Sequence, residues 1–385
     1  MRSAPKGRVE ALIVGGGPAG ATLAILLARQ GRSVEILEQT ASAQHKVCGE
    51  FLSHEAAEYL EQLGVSPRRL GAASIHGVRL HARTTIASCE LPFPALSVTR
   101  RALDEALLEL ADVEGAVVMR GRRVERLESD SEGWHAGLRG GESRCAGTAF
   151  LATGKHDLGG HGRPEGRQRD LVAFKMYFRL SPVQERALGG WVELFLFPGG
   201  YAGLQLVEEE QANLCLVVER GTLVRCHRDW SKLLEHMSRF STPLAERLDG
   251  AEALLAKPLA VSSMPYGMLP GDAEDVLWRI GDQSAVIPPF AGDGMSIALH
   301  SAYLAAEIYG RGGTAEEYTR RLRREVSLAV QLATTISRLM TGAPATAQVL
   351  RAWPGLLARI ATHTRVPQQA LSGRTFHVRY KGCMR

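Results

Sequence analysis

The sequence predicts an α/β protein: a parallel sheet flanked by helices, interleaved with an antiparallel sheet and followed by a C-terminal helical segment. Three observations carry this. The apolar run Ala11–Val14 stops at Gly15-Gly16-Gly17 and resumes as an apolar helix and a second strand, a βαβ unit that requires parallel strands. From residue 171 onward apolar and polar residues alternate with period two, the pattern of antiparallel strands with one buried face. At 276–280 "VLWRI" is again a single apolar strand, closed by Gly281-Asp282, so the chain returns to its first sheet.

In chain order, strand Val9–Val14, helix Pro18–Gln30 and strand Ser33–Glu38 form the first unit. Helices are predicted over 52–63 and Arg100–Ala111, the second with Leu103, Leu107 and Leu110 on one face. Short strands fill 116–150 and end in "TAFLATG" at Gly154, and the Gly/Arg-rich stretch 155–170 reads as a crossover. In "VAFKMYFRL", Phe174, Met176, Phe178 and Leu180 share one face while Lys175, Tyr177 and Arg179 share the other. A loop then leads into a helix from Ile297 to Tyr309, and the tail over 315–363 is predicted helical with breaks at Pro344 and Pro354. The domains are expected at 1–80, 99–165 and 271–312 for the first sheet, 81–98 and 166–270 for the second, and 313–385 for the helical segment.

Composition excludes several classes. With 45% hydrophobic and 23% charged residues, 385 residues can bury a large core. The formal charge of +5 is too diffuse for a nucleic-acid surface. Six scattered cysteines form no C-x-x-C pair or zinc spacing, so free thiols in a reducing compartment and no metal are expected. No signal-like cleavage site or membrane-spanning window is present, which points to a cytoplasmic protein; contact of the C-terminal helices with a membrane surface stays open. G-x-S-x-G is absent, which argues against a hydrolase of that type.

Gly15-x-Gly17-x-x-Gly20 lies between a strand and a helix, the context of the Rossmann-like dinucleotide fingerprint. Gly15 permits the tight turn, Gly17 bares backbone to a pyrophosphate, and Gly20 lets helix and strand pack. The helix N-terminus offers unpaired N–H groups to phosphates. Glu38 ends the second strand, where it can accept ribose hydroxyls and repel a 2′-phosphate.

"GGGPAG", "EILEQ", "KVCGE", "TRRALDEALL", "FLATG" and "RIGDQSAVIPPFAGDGMSIAL" together resemble the FAD-dependent oxidoreductases that include para-hydroxybenzoate hydroxylase-type monooxygenases, geranylgeranyl reductases and flavin-dependent halogenases. The resemblance spans roughly residues 8–310. It implies a Rossmann-like FAD-binding domain interleaved with an antiparallel-sheet substrate domain. It places Asp282, beside Gly281, on the flavin ribityl chain, and Pro289, Gly292, Gly294 and Met295 along the isoalloxazine. Arg100 is implied at the phosphate or ribityl region, and Pro18, Ala19, Gln39, Lys46, Val124 and Gly154 complete the expected cofactor contacts. Cys48 is expected near the ring, as a proton donor or as packing.

The Asp-Gly motif of the aromatic hydroxylases is replaced by "ATGKHDLGGHGR", and the halogenase "WxWxIP" stretch is missing. Lys175, on a strand face, is expected to point to solvent. His76, His81 and His300 read equally as structural or catalytic. Phe174, Met176, Phe195 and Tyr201 are the candidate substrate-pocket residues. The expected activity is oxygenation of a small hydrophobic or aromatic substrate, free or carrier- or protein-bound, by reduced flavin and O2. NADPH, NADH or a separate reductase would supply electrons. Reduction of an isoprenoid double bond, halogenation, and a non-catalytic role on the same fold are the alternatives.

Overall fold

The computed structural model describes residues 8–82, 85–271, 276–342 and 365. The first unit is β1 (Arg8–Val14), α1 (Pro18–Arg29) and β2 (Val34–Glu38). It is followed by β3 (Phe51–Leu52), α2 (His54–Leu63), β4 (Ala73–Ala82), β5 (Thr85–Ser97) and α3 (Arg100–Val113). Next come β6 (Val117–Arg120), β7 (Val124–Asp130), β8 (Gly133–Leu138) and β9 (Ser143–Leu151). The second half continues with β10 (Leu171–Arg179), α4 (Pro182–Leu188), β11 (Trp191–Phe197), β12 (Gly200–Leu206) and β13 (Ala212–Glu219). Helices α5 (Arg220–Arg225), α6 (Trp230–Phe240) and α7 (Thr242–Leu248) precede the short strands β14 (Glu252–Ala253), β15 (Leu259–Ser262) and β16 (Trp278–Arg279). The long helices α8 (Gly294–Gly310) and α9 (Ala315–Gly342) end the described chain. The predicted tail breaks Pro344 and Pro354 lie outside the described residues.

Two sheets carry the fold. In the first, the order is β6-β2-β1-β9-β8-β7, with the returning β16 paired to β9. Val14 stands opposite Leu37 on one side and Leu151 on the other, both parallel, so three strands end at the same edge. Helices α1, α3 and α8 cover one face because their apolar residues, including Leu23, Leu107 and Leu299, are fully buried. Each such side chain contributes about 1.5–3 kcal/mol relative to exposure.

The second sheet runs β14-β10-β13-β12-β11-β4-β5-β3, with β15 on β10. It differs from expectation in two ways. It begins at Phe51 and Ala73 rather than at residue 81, and β4 pairs with β11 in parallel. The chain enters this sheet on separate passes, so neighbouring strands from different passes need not follow hairpin geometry. Both faces are covered. Met176, Phe178, Phe195 and Phe197 pack under α6 and α7, whereas Leu80, Ala173, Tyr201 and Val217 face the first domain and α9. Lys175 therefore corrects the expectation of solvent exposure: its face is the one covered by the first domain, and it is 0% exposed. Alternation marks two faces but does not say what covers each.

Candidate active site

The turn after β1 is tight because backbone meets backbone. Gly15 has φ of +111°, and a Cβ on Gly20 would overlap the Gly15 carbonyl oxygen. No side chain caps α1, so its first N–H groups remain available to an anion. Glu38 is held at the end of β2 by three donors. Gly16 N–H donates to Oε2 at 2.7 Å, while Thr40 N–H and hydroxyl donate to Oε1 at 2.9 and 2.7 Å. Oε1 thus has both of its acceptor sites filled, and Oε2 retains one for a ligand hydroxyl.

Thr99 accepts from Ala102 N–H and so starts α3, which sets Arg100 on its first turn. Arg100 donates to Asp104 through Nε at 2.7 Å and Nη2 at 2.9 Å, and Lys46 Nζ reaches the same carboxylate at 3.0 Å. Burial alone would depress the Arg100 pKa, but the Asp104 charge and hydrogen bonds outweigh it and keep the guanidinium cationic. A Cβ on Gly17 would stand 3.3 Å from Arg100 Nη2, so the bare glycine and the cation face the same space. Sequence reading named Arg100 and missed Asp104; its signal was the i,i+4 pairing within "RRALD".

A cavity of about 470 Å³ runs from Glu38, Gln39 and Val124 past Lys46, Gly15 and Gly17 to Arg100, Gly154 and Asp282. It continues into a cavity of about 140 Å³ lined by Pro18, Ala19, Cys48, Gly281, Asp282, Pro289, Gly292, Gly294 and Met295. Every predicted cofactor residue except Gly20 thus borders one of these two spaces, and Gly20 packs behind the turn. Gly281 N–H donates to Ser301 of α8 at 2.9 Å, and Gln283 donates to the Gly154 carbonyl at 2.8 Å, which fixes Asp282 between the two cavities. Lys155 lines both spaces and donates to the Val47 carbonyl, tying β9 to the "KVCGE" loop. Sequence reading missed it. An uncapped helix end, a fixed cation and two carboxylates at opposite ends fit a dinucleotide with a hydroxylated chain.

Beyond Cys48 the "KVCGE" loop buries a charge. Glu50 has φ of +62° and no exposed surface. Lys175 Nζ lies 2.5 Å from its Oε1, Arg100 N–H donates to Oε1 at 2.7 Å, and Asn213 donates to Oε2 at 3.1 Å. Tyr177 Oη is 2.8 Å from both oxygens, and His45 Nδ1 is 3.1 Å from Tyr177 Oη. Burial pushes the Glu50 carboxyl above the usual range, against the opposing pull of Lys175.

A third cavity, about 130 Å³, meets the second at Gly49, Phe51, Cys215, Pro289 and Gly292. Its walls are largely apolar, with Val78, Leu80 and Leu91 from β4 and β5, Val192 and Leu194 from β11, Tyr201 from β12, and Ile336 and Met340 from α9, and Gln205 and Arg365 also line it. Of the four predicted pocket residues Tyr201 lines it. Phe174, Met176 and Phe195 correct the expectation: they lie on the opposite face, in the cluster under α6 and α7. Aromatic content drew attention to them, but the wall is built from the smaller residues alternating with them. Of the three histidines, His81 lies near Glu193 on the helix-covered side of the second sheet, His300 bridges Tyr59 and Glu325, and His76 packs on Trp191; none lines these cavities. Among the described residues no group of metal-binding side chains occurs, and no helix is long and apolar enough to cross a membrane.

Known proteins share this design. Residues 8–148 match the family model described as FAD binding domain. The chain is 27% identical over 328 residues to a menaquinone reductase of Mycolicibacterium smegmatis, covering 80% of this chain and 78% of that one. The fold is similar to that of the flavin-dependent brominase Bmp2, with a TM-score of 0.76 at 17% identity, covering 94% and 95% of the two chains. It is also similar to Pseudomonas aeruginosa PqsL in complex with 2-aminobenzoylacetate, with a TM-score of 0.70 at 19% identity, covering 92% and 99%. The protein carries an FAD-binding domain on a flavoprotein fold. It is an FAD-dependent oxidoreductase.

Proposed function

We propose that this oxidoreductase is a monooxygenase that inserts oxygen into a hydrophobic or aromatic substrate, with NADPH, NADH or a separate reductase as electron source. The observation that carries the reading is the apolar cavity of Val78, Leu80, Leu194, Ile336 and Met340, which opens onto the space lined by Cys48, Gly292 and Met295. Bound flavin supplies the redox chemistry, accepting electrons and activating O2. The chain's own part is binding, orientation and exclusion of water. Glu38 and Asp282 would hold the cofactor's hydroxyls, the α1 N-terminus and Arg100 its phosphates, and the α8 N-terminus would favour negative charge at the ring. Ile336 and Met340 of α9 add apolar surface to this cavity, and Phe290 N–H donates to the Tyr201 hydroxyl oxygen at 3.3 Å.

A second reading, hydride transfer to an isoprenoid double bond, is favoured by the Cys48 thiol in the ring-side cavity and by the menaquinone reductase relative. Turnover under isotopically labelled dioxygen separates them. Label in the product supports oxygenation. Unlabelled product gaining two hydrogens, with no substrate-dependent oxygen uptake, replaces it with reduction.

A further inference from the structure

The polar cluster behind Cys48 is ordered in a way that a simple anchor does not require. Glu50 is a carboxylate acceptor already receiving Arg100 and Asn213 N–H groups, so Tyr177 must donate its hydroxyl proton to it. The Tyr177 oxygen then accepts from His45, which fixes the Nδ1–H tautomer there and leaves Nε2 as the atom able to take a proton. The three side chains also lie in order of burial. His45 is partly exposed and lines the long cofactor cavity; Tyr177 is 1% exposed; Glu50 is wholly buried and lines the ring-side cavity with Cys48. An anchor would end at Glu50. This array continues to solvent.

We propose that His45, Tyr177 and Glu50 form a proton relay from the rim of the cofactor cavity to the ring-side cavity, with Lys175 as the positioning counter-ion of Glu50. His45 Nε2 takes a proton from water while Nδ1–H passes one to the Tyr177 oxygen. Tyr177 gives its own proton to Glu50, and Glu50 releases it into the cavity beside Cys48. No electrons move along this path, and each group ends with the proton count it had at the start. The charged and titratable groups facing the relay are Lys175, Arg101 and Glu208 around His45, Glu50, Cys48 and Glu208 around Tyr177, and Lys175 and Tyr177 around Glu50. Lys175 Nζ also sits 4.5 Å from the centre of the Tyr177 ring, so one cation contacts both Tyr177 and its acceptor Glu50. Burial and the neighbouring Lys175 and Arg101 lower the His45 pKa, so its neutral form is available at neutral pH to accept a proton.

The inference rests on the flavin assignment and is independent of whether the product is oxygenated or reduced. Its test uses FAD-loaded protein reduced by dithionite, with no organic substrate, so its failure is separable from that of the oxygenase reading. In Tyr177→Phe the reduction rate is expected to fall at least about tenfold, with a changed solvent deuterium isotope effect and an unchanged FAD dissociation constant. His45→Ala is expected to slow likewise and to recover with added imidazole, which a structural role would not allow. Time-resolved infrared spectra during reduction should show a transient carboxylic-acid band that is absent in Glu50→Gln. Wild-type rate, pH profile and isotope effect in both the Tyr177 and His45 variants would overturn the relay, as would failure of imidazole to rescue His45→Ala. If Tyr177→Phe does not fold, the partly exposed His45 decides the question.

Discussion

Glu50 and Glu193 are both fully buried against the second sheet, on opposite faces, and their surroundings give them opposite character. For Glu193 burial alone would raise the pKa, but His81, Arg247 and Arg79 together bring it down to about 2. Arg247 donates at 2.9 and 3.0 Å and Arg79 at 3.0 Å, joining α7, β4 and β11. Glu50 has one cation, Lys175, and its pKa moves up instead. The same side chain at the same depth is a permanent anion where three bases surround it and a proton-accepting group where one does. The permanent one faces the helices. The adjustable one faces the cofactor cavities.

The sharpest way to break this contrast is Glu193→Ala, which leaves the half-buried Arg79 and Arg247 without their anion. It is expected to cost about 3–5 kcal/mol in denaturant unfolding, with FAD stoichiometry of the folded fraction unchanged. Glu50→Gln keeps the shape and the Tyr177 acceptor, so its stability loss is expected at about 1–3 kcal/mol. Adding Lys175→Met should recover part of that loss, since the unpaired cation is removed. A Glu50 variant as damaging as Glu193→Ala, with no recovery, would make the two sites equivalent.

The cofactor side is tested by Asp104→Asn, which frees the Arg100 guanidinium. FAD affinity, followed by flavin fluorescence, is expected to weaken about tenfold, or about 1.4 kcal/mol. Acid adds a signed test. The Glu193 pKa is depressed on folding from the usual 4.5 to about 2, so its contribution to stability is complete above pH 4.5 and lost as pH falls toward 2. Glu193→Gln should flatten that part of the stability curve. The smallest effects separate neighbours on β11. Phe195→Leu should cost about 1 kcal/mol of stability and leave KM alone, whereas Leu194→Phe should raise KM by narrowing the apolar cavity.

Legibility followed the range of the forces involved. The glycine turn, Glu38 and the Gly281-Asp282 return could be read directly because each depends on neighbours within a few residues of a strand end, whereas the role of Arg100 followed from the resemblance to FAD-dependent oxidoreductases. Asp104 and Lys155 were within reach of the same reasoning and were passed over. Lys175 and the pocket face were not legible: period-two alternation gives two faces, and only the packing of α6 and α7 on one, and of the first domain and α9 on the other, distinguishes them.

The sequence by itself determined the parallel first sheet, the interleaved second sheet and the glycine turn of a dinucleotide-binding unit, because strand period, glycine freedom and helix-end charge are local. Tertiary structure decided which side of the second sheet is the substrate wall, and it brought Glu50, Lys175, Tyr177 and His45 together. That meeting joins a loop after β2 to a strand more than a hundred residues later, and no local periodicity encodes a contact of such length.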